Sequence, residues 1–275
     1  MTKSDYDEIT PALQRYQRAF APLLLDPDLR TSFHRIPLDA DARRALYLMG
    51  SVERDSKYQF ENAIAARLTS SQDIATFLPL WADEEAHHGN ILLQIAKATG
   101  DREEGYDTRR SQRPTFAQRT SSVRSRMAGR FLPDLRAAYG VFGAYQEHSV
   151  IIAYGLLAKR VGDGRLAAVL ADIVGQERRH LAVYRAIAKT ELARSRRARI
   201  IARCSMWLLW KPVGYEAMGY HNWQWLLAYL CPTEAERERL CRSDDALRGL
   251  LGFEDVAPMV RFLARSVVST SSRTE

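Results

Sequence analysis

The sequence predicts an all-α protein built around a bundle of four long helices. Hydrophobic residues recur with the 3.6-residue period of a helix through most of the chain, and the alternation typical of strands is nearly absent. The long periodic segments form two pairs, each joined by a very short turn, and a longer link connects the pairs. Because 46% of the 275 residues are hydrophobic and 27% are charged, the chain can bury a sizeable core.

The N-terminal part predicts one short helix followed by a loop. Leu13, Tyr16 and Phe20 share one face of a helix over residues 10–24. Two prolines interrupt the following stretch, which we expect to be a loop. Residues 1–37 are therefore expected to form a helix and a loop that pack on the bundle.

The first hairpin of the bundle is predicted between residues 38 and 99. Its first helix covers residues 38–68, and Ser70 or Ser71 is expected to cap the start of the second helix. Gly100 follows the second helix as its expected C-terminal cap.

The second hairpin follows an arginine-rich and serine-rich connection over residues 101–130. Its helices are expected over residues 134–161 and 165–188, with a Gly-Asp-Gly turn at residues 162–164. Two short-turn hairpins joined by a longer crossover are typical of a ferritin-like four-helix bundle, which we expect over residues 38–192.

Residues 193–275 predict a helical extension of the same domain. An arginine-rich helix begins it, and two amphipathic helices are expected over residues 233–242 and 255–265. An aromatic stretch lies between the arginine-rich helix and the first amphipathic helix. We expect it to pack in the core, with an apolar substrate tunnel or a homodimer interface as alternatives. Its tryptophans are Trp207, Trp210, Trp223 and Trp225.

Two Glu-x-x-His motifs lie on predicted long helices, one in each hairpin. They are formed by Glu85 with His88 and by Glu177 with His180. A spacing of three residues places a carboxylate and an imidazole on the same helix face, one turn apart. Both side chains of a motif can therefore bind the same metal ion.

Two further glutamates lie on the other helix of each hairpin. Glu53 precedes Glu85 by 32 residues, and Glu147 precedes Glu177 by 30 residues. If each hairpin folds at its turn, four carboxylates and two imidazoles point into one bundle, as in a non-haem di-iron or dimanganese site. Carboxylates and imidazoles suit iron or manganese, and the absence of cysteine from this set argues against structural zinc.

Hydrophobic periodicity supports the second hairpin more clearly than the first. Glu147 and Glu177 each lie inside an apolar stripe, where an unpaired charge would cost several kcal/mol. A partner or a metal ion is therefore expected at both positions.

The register of the first hairpin stays open on periodicity alone. Glu84 and His87 form a second Glu-x-x-His pair that overlaps the first and shares an equally apolar surrounding. Asp55 and Glu61 compete with Glu53 as the upstream carboxylate.

The composition narrows the cellular setting. Forty Lys and Arg against 33 Asp and Glu give a net charge of +7, which favours acidic partners. Three cysteines without a CxxC pair are typical of a reducing compartment. No apolar run reaches the ~18 residues needed to span a bilayer, and the first residues are too polar for a secretory signal. We expect a cytoplasmic protein without a membrane span, and no motif indicates nucleic-acid binding.

Over residues 46–192 the chain resembles the soluble acyl-ACP desaturases, a ferritin-like family with a di-iron site. The resemblance rests on a W-x-x-E-E-x-x-H-G stretch, an aromatic-Gln-Glu triplet, an E-[KR]-R-H motif, and a Tyr-Gln pair five residues after the first glutamate. The matching residues are 81–89, 145–147, 177–180 and 58–59, respectively.

The resemblance implies a complete set of metal ligands and selects the Glu85 register over the Glu84 register. It implies two iron ions, with manganese as the alternative, that activate O2 and remove two hydrogens from a fatty acyl chain. It further implies acyl carrier protein as the substrate carrier and a ferredoxin-type electron donor. The implied ligands are Glu53, Glu85, His88, Glu147, Glu177 and His180.

The chain departs from the family at two positions near the implied ligands. The family has a threonine where this chain has Val150, beside Ser149, and an aspartate where this chain has Gln176. We expect Ser149 and Gln176 to lie directly behind the ligands. Two alternatives therefore stay open: a di-iron oxygenase of another small molecule, such as an amine N-oxygenase, and a non-enzymatic ferritin-like iron-binding protein.

Overall fold

Helices account for nearly all of the computed structural model, which describes residues 8–21, 23, 27–99, 125–127, 129–130 and 134–271. No strand occurs in these residues, so the prediction of an all-α, ferritin-like helical bundle is confirmed. Short 3₁₀ helices occur at Phe33–Arg35, Leu68–Ser70 and Arg242–Leu247. The α-helices are α1 (Ile9–Ala19), α2 (Pro27–Thr31), α3 (Ala40–Arg54), α4 (Ser56–Ala65), α5 (Gln72–Ala98), α6 (Leu135–Val161), α7 (Gly164–Arg194), α8 (Arg196–Leu209), α9 (Tyr215–Met218), α10 (Tyr220–Leu230), α11 (Glu234–Cys241) and α12 (Pro258–Ser271).

Two packed helix pairs form the centre of the molecule, α3 with α5 and α6 with α7. Glycines allow the helices of the first pair to approach closely. A methyl group at Gly89 would lie 2.6 Å from the carbonyl oxygen of Gly50, so no larger residue fits there without a shift of the backbone. This close contact holds the middle of α5 against the end of α3, where the candidate site lies.

The turn between α6 and α7 follows the sequence prediction. Gly162 ends α6 in the left-handed region, with φ of 70°, where glycine carries no steric penalty. The carboxylate of Asp163 accepts hydrogen bonds from the backbone N–H groups of Arg165 and Leu166 and so caps α7.

The first hairpin differs from its prediction in one respect. The expected helix over residues 38–68 is divided at Asp55 into α3 and α4. The backbone N–H of Asp55 bonds to the carbonyl of Val52, and the N–H of Tyr58 bonds to the carbonyl of Asp55. These hydrogen bonds join residues i and i+3, as in a 3₁₀ helix. They tighten the chain locally and end the regular α-helix just after Glu53.

Other predicted boundaries were less accurate. The stretch expected to be a loop contains the short helix α2 and one 3₁₀ helix. Ser71 occupies the N-cap position of α5, although its side chain makes no capping hydrogen bond. Gly100 and most of the connection over residues 101–130 lie outside the described residues.

The helices that precede and follow the two hairpins pack against them. Helix α1 contacts α5 and α7, and α8 contacts α6 and α7. Asp244 ties the C-terminal part to the bundle: it accepts a hydrogen bond from the Tyr145 hydroxyl (2.6 Å) and others from the backbone N–H groups of Met259 and Val260 in α12. The proposed division at residues 37 and 192 stays a prediction.

In the part of the chain that the structure describes, no helix combines the length and the hydropathy that are needed to cross a bilayer.

Candidate metal centre

Four glutamates on four different helices point into the interior of the bundle. Glu53 lies near the end of α3, and Glu85, Glu147 and Glu177 lie in the middle of α5, α6 and α7. None is more than 7% exposed. Buried carboxylates without partners are strongly destabilising, so this convergence requires protons, hydrogen bonds or a cation.

His180 lies at the centre of this cluster and is fully buried. Its Nδ1 atom is 3.0 Å from Glu177 Oε2, 3.1 Å from Glu85 Oε1 and 3.6 Å from Glu147 Oε2. One ligand atom from each of these four residues lies within 4.8 Å of the others. Three carboxylates and one imidazole at this separation could hold a metal ion.

His88 lies on the opposite side of Glu177 and is also fully buried. Its Nδ1 atom is 3.0 Å from Glu177 Oε1, but the angles at these atoms do not form a hydrogen bond. Among the described residues, Glu85 Oε1 also lacks a hydrogen-bond partner. Buried polar atoms without partners are rare in folded proteins. Three of them belong to this cluster: His88 Nδ1, Glu177 Oε1 and Glu85 Oε1.

Each histidine is held by the residue that precedes the glutamate on the opposite helix. Gln176, just before Glu177, accepts a hydrogen bond from His88 Nε2 (2.5 Å). Glu84, just before Glu85, accepts one from His180 Nε2 (2.8 Å). Because both Nε2 atoms donate, Nδ1 is in each imidazole the nitrogen that a metal ion could bind.

Glu84 is held by contacts that the sequence did not indicate. The hydroxyl of Tyr16, in α1, donates to Glu84 Oε2 (2.6 Å), and Arg179 donates to Glu84 Oε1 (3.3 Å). Burial would raise the pKa of Glu84, but the hydrogen bond and charge of His180, with Tyr16 and Arg179, outweigh it and lower the pKa. Glu84 is therefore an ionised partner of His180.

Glu147 and Glu53 each accept a hydrogen bond from an aromatic side chain. Trp81 Nε1 donates to Glu147 Oε1 (3.0 Å), and the Tyr154 hydroxyl donates to Glu53 Oε1 (2.5 Å). Burial raises the pKa of Glu147 to about 8, despite the hydrogen bond from His180. Burial and the neighbouring charge of Glu85 raise the pKa of Glu53 well above its ordinary value.

The surroundings of His180 indicate where a cation would lie in the cluster. The surrounding carboxylates raise the pKa of His180 well above its ordinary value, although burial acts in the opposite direction. Nδ1 of His180 faces Glu85, Glu147 and Glu177, so a proton on this atom would lie among their carboxylates. A metal ion bound there would replace this proton and neutralise the same carboxylates.

The structure brings together all six residues that the sequence predicted as ligands, and their ligand roles stay predictions. Gln176 lies directly behind His88, whereas the Ser149 hydroxyl donates to the carbonyl of Tyr145 on its own helix.

The residues that competed in the first hairpin have other surroundings. His87 contacts the carbonyl of Leu23 through Nε2 (2.9 Å), away from the cluster. Asp55 is half-buried and Glu61 is exposed, whereas Glu53 is buried. The Glu85 and His88 register therefore faces the bundle interior.

An apolar cavity lies beside Glu53, between the bundle and the C-terminal helices. Ser149 and Val150 of α6 form part of its wall, and helix α10 contributes Trp223. Among the described residues that line it, Glu53 alone is charged. The cavity therefore suits an apolar molecule whose one end reaches the cluster.

The four C-terminal tryptophans have different environments. Trp223 lines the cavity, and Trp210 packs edge-on against Tyr145. Trp225 stacks on Tyr229, whereas Trp207 is 66% exposed. The expectation of core packing is therefore wrong for Trp207.

Comparison with known proteins gives one match. A family model described as fatty acid desaturase matches residues 58–208, just over half of the chain. This range contains five of the six predicted ligands, and Glu53 precedes it. No curated protein and no solved structure matches the chain.

Proposed function

The chain belongs to the fatty acid desaturase family, and on this premise we propose that it is a di-iron, O2-dependent oxidoreductase that desaturates a fatty acyl chain on a carrier protein. The observation that carries the proposal is the buried cluster of four carboxylates and two imidazoles, with ligand atoms that lack hydrogen-bond partners. This donor set fits iron, with manganese as the alternative.

The six residues would hold the two metal ions, which when bound supply the redox chemistry that activates O2. Glu84 and Gln176 orient the two imidazoles so that each Nδ1 faces the interior. Trp81 and Tyr154 fix the orientations of Glu147 and Glu53. The buried surroundings exclude bulk water from the carboxylates.

The apolar cavity is the proposed binding site for the acyl chain. Its lining includes Val150 and Ala153 as well as Glu53, so a chain bound there would have a carbon–carbon bond near the carboxylate cluster. The absence of other charged groups among the described lining residues suits a hydrocarbon and disfavours a polar or cationic substrate.

The protein partners are proposed from the positive charge of the chain. The chain carries a net charge of +7, and helix α8 exposes Arg196 and Arg197. Acyl carrier protein and a ferredoxin-type electron donor are acidic partners, and opposite charge accelerates such encounters. We propose that these reactions take place in the cytoplasm, and that the active form is a monomer or a homodimer.

The first test is metal content. Protein produced in iron-supplemented medium is expected to contain about two iron ions per chain, and Glu177→Gln should lose most of this metal because Glu177 lies between both histidines. Glu191→Gln is the matched control, because Glu191 is a buried glutamate on the same helix that pairs with Arg194. Metal-free wild-type protein, or equal metal in Glu177→Gln and Glu191→Gln, would contradict the proposal.

The second test is substrate oxidation. Iron-loaded protein, reduced ferredoxin and acyl carrier proteins with chains of different lengths should consume O2 and form an unsaturated product. Ala153→Phe places a large side chain in the cavity wall and should abolish turnover of long chains without loss of iron. Rapid iron oxidation without an organic product would instead indicate an iron-storage protein.

A further inference from the structure

The two halves of the cluster have different supporting residues, and we propose that they bind metal with unequal affinity, the His180 half first and more tightly. This inference rests on the proposed function, because it assumes that the cluster holds two metal ions. It goes beyond that function by assigning the order of binding to Glu84 and Gln176. Both are positioning residues that act through a histidine.

The first argument is the geometry of the ligand atoms. Around His180, ligand atoms of Glu85, Glu147 and Glu177 already lie within 4.8 Å of one another and of the imidazole. Neither His88 nor Glu53 belongs to this compact group. A metal ion in the His180 half therefore needs less rearrangement of the protein.

The second argument is the hydrogen bond that holds Glu53. The Tyr154 hydroxyl donates to Glu53 Oε1 at 2.5 Å, and this bond occupies one of the two oxygens. A metal ion on the His88 side must share this carboxylate with Tyr154. Glu147 accepts a longer bond from Trp81 at Oε1 (3.0 Å), and its other oxygen, Oε2, lies 3.6 Å from His180 Nδ1.

The third argument is the charge of the group behind each histidine. His180 Nε2 donates to the carboxylate of Glu84, whereas His88 Nε2 donates to the neutral amide oxygen of Gln176. A carboxylate partner makes an imidazole a stronger metal ligand than an amide partner does. Both partners are held in place, Glu84 by Tyr16 and Gln176 through its amide N–H bond to the carbonyl of Ala21 (3.1 Å).

The matched variants exchange these partners with little change in shape. Gln176→Glu gives His88 a carboxylate partner, and Glu84→Gln gives His180 an amide partner. The double variant exchanges the two and keeps the same net charge as the wild type. Glu191→Gln again serves as the control for loss of a buried glutamate on α7.

Metal-free protein would be titrated with Co²⁺ under argon, and binding would be followed by calorimetry and by visible absorption of the bound ion. The wild type should bind two ions in steps that differ at least about tenfold in affinity, and His88→Ala should remove the weaker step only. Gln176→Glu should strengthen the weaker step by about 10-fold to 100-fold, the range measured for partners of metal-binding histidines. Glu84→Gln should weaken the tighter step by a similar factor.

Three results would overturn the inference while two Co²⁺ ions still bind, which leaves the proposed function intact. These are equal affinities in the wild type, loss of the tighter step in His88→Ala, and a Gln176→Glu variant with the wild-type ratio of affinities. Failure of the wild type to bind any Co²⁺ would overturn both proposals. Because Gln176→Glu removes no ligand and is expected to gain affinity, misfolding cannot imitate the expected result.

Discussion

Three aromatic side chains each donate one hydrogen bond to one glutamate in or beside the cluster. Tyr16 bonds to Glu84, Trp81 to Glu147, and Tyr154 to Glu53. An aromatic ring packs in the apolar core while its single polar group holds a carboxylate in one orientation. This pairing stabilises buried acidic groups without adding a second charge.

Removal of one such hydroxyl tests this role at a single atom. Tyr154→Phe keeps the ring and leaves Glu53 Oε1 without its donor, so we expect the free energy of unfolding of the metal-free protein to fall by about 1–2 kcal/mol. Urea denaturation measures this change. Tyr220→Phe is the control, since the exposed Tyr220 hydroxyl only accepts a bond from Gln224 at the surface, and its effect should stay within about 0.5 kcal/mol. Equal effects of the two substitutions would contradict the role of Tyr154.

Sequence motifs identified the residues of the cluster, and Gln176 was expected behind them, but the tyrosines that hold Glu84 and Glu53 were not identified. Glu177 and His180 are three residues apart on one helix, a spacing that can be read directly from the sequence. The bond from Tyr16 to Glu84 joins residues 68 positions apart, and that from Tyr154 to Glu53 joins residues 101 positions apart. No local pattern marks such a pair, because it depends on how separate helices pack.

At the scale of helices, the absence of a side chain at Gly143 on α6 leaves room for the buried ring of Tyr184 on α7. The ring of Tyr184 lies directly over Gly143, where a methyl group would be 2.1 Å from the ring. Tyr184 also packs edge-on against Phe77 and Trp81 of α5, so it connects three helices beside the cluster.

Alanine substitutions at two helical glycines separate packing from helix propensity. Gly143→Ala should lower the free energy of unfolding by about 1–3 kcal/mol, because the methyl group must displace the Tyr184 ring. Gly175→Ala on α7 meets no atom within 4 Å and should raise it by about 0.5–1 kcal/mol. Thermal and urea unfolding of the two variants measure these changes. A neutral or stabilising Gly143→Ala would show that the helices are not in close contact there.

The accuracy of the predicted helices depended on whether their ends carry a local signal. The turn at residues 162–164 was predicted correctly because glycine and aspartate have a direct steric or hydrogen-bonding reason to be there. The division between α3 and α4 was missed because residue 55 is an ordinary helical aspartate in sequence, with no glycine or proline beside it. That break becomes visible only in the backbone hydrogen bonds of the folded chain.

At the scale of the whole molecule, the cavity joins two parts of the chain. The family match ends at residue 208, yet much of the cavity wall, including Trp223, Leu226 and Met259, comes from later residues. The bundle therefore supplies the carboxylates, and the C-terminal helices supply much of the apolar surface. The sequence alone left the aromatic stretch open between core packing, a tunnel and an interface, because its hydrophobic pattern is the same in all three.

The concentration of buried acids in one place should make the metal-free protein less stable as the pH rises. Burial raises the pKa of Glu147 from its ordinary 4.5 to about 8, and the pKa values of Glu53, Glu85, Glu177 and His180 are also raised. The folded chain thus holds more protons than the unfolded chain in this range, and stability is lost as the pH rises from about 5 through about 8. Glu84 has a lowered pKa and affects stability only in acid, outside this range.

Urea unfolding of metal-free protein between pH 5.5 and 8.5 should show this decline in stability. Glu147→Gln should reduce the slope of stability against pH by up to about 1.4 kcal/mol per pH unit, the contribution of one proton. Metal ions require the same groups without protons, so iron or Co²⁺ should bind more tightly over the same range and release protons on binding. Stability that rises from pH 5.5 to 8.5, or a Glu147→Gln variant with the wild-type slope, would contradict a cluster that holds protons in place of metal.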